Sequence, residues 1–118
     1  MKIKLNSTTP DQLDWLVATC EGKIISIWGG NTIEVKDRYS FEDGYKFSPS
    51  TDWSQGGPII ERERIDVSYT GLLWGAARQL NEYEEPDEWF GPTPLIAAMR
   101  AYVASKLGDE VEIPEKLK

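Results

Sequence analysis

Five stretches of the chain carry a regular apolar pattern, and their order is helix, hairpin, helix, hairpin, helix. Leu13, Leu16, Val17 and Cys20 recur at i, i+3, i+4 and i+7, the stripe that one face of a helix presents. Thr9-Pro10 ahead of them offers a capping hydroxyl and a residue already set for the first helical position, and Gly22 behind them can take the left-handed stop. The pattern predicts a helix from Pro10 to Glu21. Ile24-Ile25-Ser26-Ile27-Trp28 is then β-prone, Gly29-Gly30-Asn31 is a turn, and Thr32-Ile33-Glu34-Val35-Lys36 alternates, which together predict an antiparallel hairpin.

Asp37 to Pro49 mixes turn formers with Tyr39, Phe41, Tyr45 and Phe47, and reads as a loop whose rings tuck against the body. Around Gly56-Gly57-Pro58 two readings compete. Either a capped turn at Ser50-Thr51-Asp52 leads to a helix with Pro58 at its first position, or one helix runs from Asp52 to Arg64 and kinks at the glycines. Ile65-Asp66-Val67-Ser68-Tyr69 alternates with period two, Thr70-Gly71 is a turn, and Leu72 to Arg78 follows as a second strand. The last helix is the clearest: Thr93-Pro94 repeats the start signal, Leu95, Met99, Tyr102, Val103 and Leu107 keep helical spacing, and Gly108 ends it. Ala97, Ala98, Ala101 and Ala104 leave small faces on that helix, and the tail from Asp109 to Lys118 can lay Val111 and Ile113 on the body. Such elements bury their apolar faces by packing helices on sheet. The expected fold is α+β, a small antiparallel sheet of about four strands layered with three helices, in one domain spanning 1–118.

Composition narrows the function. With 118 residues, 40% hydrophobic and 28% charged, the chain can bury a real core. Its single cysteine, Cys20, rules out an internal disulfide and fits a reducing compartment. No stretch approaches the roughly 20 apolar residues that cross a bilayer, and the first residues lack the apolar core of a signal peptide. A cytoplasmic location is expected, without membrane contact. Thirteen basic against twenty acidic residues give a net charge of −7, which opposes binding to phosphate backbones. Nucleic acid is not an expected partner. Between Asn81 and Gly91 five carboxylates occur with no base: Glu82, Glu84, Glu85, Asp87 and Glu88.

The chain has no histidine, so the commonest general base and transition-metal ligand are both missing. Cys20 lies on an apolar helix face, where a thiol packs rather than reacts. Glu61 and Glu63 are two apart on a helix and point away from each other, and Asp52 is best placed as a cap. No catalysis, cofactor or metal is expected. Binding chemistry is better represented. Gly56-Gly57 beside Trp53 would let a ligand or another backbone come close to an aromatic plane, with Gln55 adjacent. Trp74, like Trp53 and Trp89, lies near a turn or loop where a flat side chain can anchor a partner. Arg62 and Arg100 can fork onto a phosphate or carboxylate.

Two blocks carry a resemblance to a known family. Ser48-Pro49-Ser50-Thr51-Asp52-Trp53-Ser54-Gln55-Gly56-Gly57-Pro58-Ile59-Ile60-Glu61-Arg62-Glu63 and the run from Gly91-Pro92-Thr93-Pro94 through Arg100 to Val111 resemble the NinX-like family of phage and prophage proteins, as does the first helix with Leu13-Asp14-Trp15-Leu16-Val17-Ala18. More distantly, the pattern is similar to the phage α-β-α sandwich domain. The resemblance implies a phage origin and a layered α-β-α fold, favours the single helix over Asp52 to Arg64, and brings no catalytic residues. The chain departs from the family pattern over Gly71 to Trp89, where its acidic stretch is longer.

Two functions are therefore expected. The first is a phage accessory protein that binds a small anionic or nucleotide-like molecule through Trp53, Gln55, Gly56, Gly57, Arg62, Trp74 and Arg100, as a sponge for a host immune signal would. The second is an adaptor or inhibitor that holds a host protein through the acidic aromatic loop 82–89. The small faces of the last helix and the surplus of aromatics also point to a two-fold homo-oligomer.

Overall fold

The computed structural model describes residues 1–79 and 81–117; Leu80 and Lys118, the last residue of the expected tail, lie outside the described residues. Its elements are β1 (Lys2–Lys4), α1 (Pro10–Cys20), β2 (Ile24–Trp28), β3 (Thr32–Lys36), β4 (Tyr45–Lys46), α2 (Trp53–Glu63), β5 (Ile65–Tyr69), β6 (Trp74–Arg78), β7 (Trp89–Gly91), α3 (Pro94–Leu107) and β8 (Glu110–Glu112), with short 3₁₀ turns at Leu5–Ser7 and Glu115–Leu117. The α+β class and the order of helices and hairpins are those the apolar pattern predicts.

Each helix begins where its capping chemistry lies. At α1 the Thr9 hydroxyl accepts the Gln12 amide while Gln12 Oε1 accepts the Thr9 amide at 2.9 Å, a reciprocal box that satisfies two orphan donors. Gln12 Nε2 also donates to the Leu117 carbonyl at 2.8 Å, fastening the carboxy-terminal turn to α1. At α2 the Asp52 carboxylate accepts the Ser54 amide at 2.9 Å, and the helix runs unbroken through Gly56-Gly57-Pro58. The single-helix reading is therefore the one the chain adopts. Pro58 lacks the N–H that would bond the Ser54 carbonyl, and Arg64 in the left-handed conformation (φ 54°) stops the helix. At α3 the Thr93 hydroxyl accepts the Ile96 amide at 3.1 Å, and Gly108 follows the last turn.

The strands form three small antiparallel sheets among the described residues, ordered β1-β8, β2-β3-β4 and β5-β6-β7. The two five-residue hairpins are the expected ones, with Ser26 opposite Glu34 and Val67 opposite Ala76. Where about four strands in one sheet were expected, four further strands of two or three residues lengthen the pattern. These are too short for periodicity to reveal. β7 extends the second hairpin, with Trp89 opposite Ala76, and β1 joins β8 so that Ile3 faces Val111.

α3 is the centre of the molecule, packed against β5, β6 and β7 and against α1 and α2. Leu13, Leu16 and Val17 of α1, Ile33 and Val35 of β3, Ile59 of α2 and Met99, Tyr102 and Val103 of α3 are all buried in one core. Ala97, Ala98 and Ala101 are buried too. The small faces of α3 thus let neighbouring elements of the same chain come close. Val111 and Ile113 lie on the body as expected. The loop after β3 differs from expectation. Of its four rings only Phe47 is buried, while Tyr39 and Phe41 are fully exposed and Tyr45 is partly so.

Candidate functional site

The candidate arginines all face partners within the chain. Arg62 grips Glu21 with both terminal nitrogens, at 2.9 and 2.7 Å, donates Nε to Glu63 at 2.7 Å and stacks over the Tyr102 ring. Its hydrogen bonds to Glu21 and then to Glu63 push the guanidinium pKa up. Burial raises the Glu21 carboxyl, but hydrogen bonds from Arg62 and Tyr102 outweigh it and leave the pKa low. Arg78 closes the network at 2.7 Å from Glu63. Such paired charges are costly to separate once water is excluded.

Arg100 meets carbonyls instead of carboxylates. Its Nη2 donates to Thr8 O at 2.9 Å, Nη1 to Phe90 O at 2.7 Å, and Nε to Thr8 Oγ1 at 3.4 Å, so it staples α3 to the entrance of α1 and to β7. Burial alone lowers its pKa. Arg100→Leu is expected to cost about 2 kcal/mol, since the buried Thr8 carbonyl loses its partner, and urea unfolding measures it; unchanged stability would refute the staple.

The remaining residues of the first expected site are separated. Gln55 clamps the β4 segment, donating to Lys46 O at 2.8 Å and accepting the Ser48 amide. Gly56 lies where a Cβ would meet Pro49 O at 2.4 Å, whereas a Cβ on Gly57 would meet only the Trp53 ring at 3.9 Å. Trp74 packs on Tyr69, ring centroids 5.3 Å apart. Of the seven, only Trp53 borders a described groove, one of about 190 Å³ shared with Ser50, Thr51, Thr93, Pro94 and Leu95. Trp53 stands there half exposed between the starts of α2 and α3.

A second cleft, of about 210 Å³, opens on the acidic segment. It is lined by Glu84, Glu85, Pro86 and Asp87 of the acidic segment, by Arg78 and Trp89 of β6 and β7, and by Ala101, Ala104 and Ser105 of α3. The acidic segment has a fixed shape. Asn81 Oδ1 accepts the amides of Tyr83 at 2.9 Å and Glu84 at 3.0 Å, and Gln79 Nε2 donates to Glu84 O at 3.0 Å. These bonds tie the loop to itself, with Glu82, Glu84, Glu85, Asp87, Glu88 and Tyr83 exposed. The charge run marks this segment in the sequence; the α3 lining is missed, because Ala101, Ala104 and Ser105 read as a generic small face. Arg78 borders the cleft but has Glu63 as its partner.

Burial pushes the Cys20 thiol up to about 11, far from the thiolate a nucleophile needs. Among the described residues no group of three or more histidine, cysteine, aspartate or glutamate side chains is placed to hold a metal ion, and no helix is long and apolar enough to cross a membrane.

No curated protein matches the chain significantly. The family model of the bacteriophage P22 protein NinX, however, matches residues 8–106, a span that contains α1, α2, α3 up to its penultimate residue, both long hairpins and the acidic cleft. The chain therefore belongs to the bacteriophage P22 NinX family.

Proposed function

We propose that this phage protein is a non-catalytic adaptor or inhibitor that holds a host protein through the acidic segment 82–89, seating a basic side chain of the partner in the cleft above α3. The observation that carries the reading is the cleft itself, which Glu84, Glu85 and Asp87 line together with Trp89. A cation gains from both, by pairing with carboxylate and by contact with an aromatic face. At about 210 Å³ the cleft is smaller than the roughly 300–1,000 Å³ of small-molecule sites, and Glu84, Glu85 and Asp87 along it repel a nucleotide. One long side chain suits it better.

The earlier expectation of a small anionic ligand has less support, because Arg62 and Arg100 are bound to groups of their own chain. What favours it is the groove beside Trp53, where the amide-rich starts of α2 and α3 meet. Calorimetry with nucleotides on the protein and on Trp53→Ala distinguishes the two readings, since heat lost on that substitution favours the groove.

The adaptor reading is tested by cross-linking the protein in extracts of infected cells and comparing it with Glu84→Lys/Glu85→Lys. A control, Glu61→Lys, alters an exposed carboxylate on α2. Reversing charge across an interface changes capture and its salt dependence. The double variant is expected to lose about ten-fold or more of a partner that the control retains. Equal capture by both variants would sink the proposal.

A further inference from the structure

The β2-β3-β4 sheet ends on a strand that is uncharged along its whole length. β2 reads Ile24-Ile25-Ser26-Ile27-Trp28, and among the described residues it pairs with β3 on one side and with no strand on the other. Exposed edges of this kind are templates for further pairing, and chains ordinarily blunt them with charge, proline or cover. β2 carries neither charge nor proline, and Ile24 and Trp28 remain 48% and 57% exposed.

The phase of the hydrogen bonds shows which groups the open edge presents. Phe47 donates its amide to Ile33 O at 2.8 Å, so Ile33 and Val35 turn their polar groups toward β4. Glu34, between them, turns toward β2 and meets its register partner Ser26. Ile25 and Ile27 consequently direct their N–H and C=O outward. The Ile27 carbonyl agrees, since it accepts Lys116 Nζ at 3.0 Å from outside the sheet.

We propose that β2 is a homodimer edge, on which a second copy of this chain pairs antiparallel about a two-fold axis at Ser26. In that register Ile25 of one copy exchanges both backbone bonds with Ile27 of the other, Ile24 faces Trp28, and Ser26 faces Ser26. An isologous contact must be self-complementary in this way. The exposed aromatic and aliphatic side chains cover each other, as cross-strand pairs do, and six strands result from two sheets of three. Charge permits a second copy here: two chains of net charge −7 repel over most of their surface, whereas β2 itself is uncharged and the ammonium at its edge, Lys116 on the Ile27 carbonyl, is of the opposite sign. Lys116 competes for one carbonyl, which has a second lone pair and so does not forbid pairing.

Ser26→Lys separates this contact from the fold. Within one copy the new ammonium faces Glu34 across the hairpin, which suits the folded chain; across the axis it faces its own equivalent, and like charges directly opposite destabilise. Sedimentation equilibrium of the full chain is expected to show a dimer, its dissociation constant raised about ten-fold or more in Ser26→Lys with the circular dichroism spectrum unchanged. Mixing Ser26→Lys with Ser26→Glu should restore a heterodimer. In hydrogen exchange the amides of Ile25 and Ile27 should gain protection as concentration rises. A wild-type chain that stays monomeric up to about 1 mM, or a dimer indifferent to Ser26→Lys, overturns the proposal.

Discussion

Gly56→Ala is expected to lower the unfolding free energy by about 3 kcal/mol or more, while Gly57→Ala one residue on raises it by about 0.5–1 kcal/mol. The contrast comes from what stands beside each Cα. A methyl group at Gly56 would lie 2.4 Å from the Pro49 carbonyl oxygen and 2.6 Å from Leu95 Cδ2. The leucine can rotate, but the carbonyl belongs to the segment that Gln55, Ser50 and Asp14 hold in place, so α2 itself must move. At Gly57 the nearest atom is 3.9 Å away, and alanine only removes the entropic cost of glycine in a helix. Urea midpoints for the two variants give both values, and equal midpoints would refute the packing argument.

A second large effect is expected at Asp14, and it depends on pH. This carboxyl on α1 is 4% exposed and accepts the Ser50 amide at 2.8 Å. Burial raises its pKa from 3.8 to about 6, although the Ser50 hydrogen bond pulls the other way. An acid that holds its proton more tightly when folded stabilises the fold while it is protonated, and that advantage disappears as pH rises from about 4 through 6. Above that window the buried charge costs up to about 3 kcal/mol, at 1.36 kcal/mol for each pKa unit. Asp14→Asn keeps an acceptor for Ser50 and cannot ionise. Relative to the wild type, the variant is expected to gain about 2–3 kcal/mol between pH 4 and pH 7.5. Unfolding curves with the same pH dependence in both proteins would show that Asp14 is not the group responsible.

Much of this architecture is legible in the sequence because local chemistry and tertiary demand agree. Thr9-Pro10 and Thr93-Pro94 begin α1 and α3, and the two five-residue hairpins follow from alternation and turn residues alone. Gly56-Gly57-Pro58 defeats a purely local reading, since each of these residues is poor in a helix; burial of Gly56 and Ile59 holds α2 together across them. Three short strands, β1, β7 and β8, exist only because distant segments meet, which no periodicity records. The site divides in the same way. A run of carboxylates marks the acidic segment, but the arginines read as ligand-binding prove to be joined to Glu21, Glu63, Thr8 and Phe90, contacts set by the fold. A sequence shows that a cation is present; only its neighbours show whether it is already occupied.

The pairing of β1 with β8 brings Lys2 beside Glu112. On the ribosome β1 must therefore wait for a strand made more than a hundred positions later, and such distant closure is slow. Until then Ile3 and the fully buried Leu5 lie open to chaperones and proteases. The amino-terminal segment should be the last to become protease-resistant during synthesis, and the first to be nicked when translation stalls upstream of Val111.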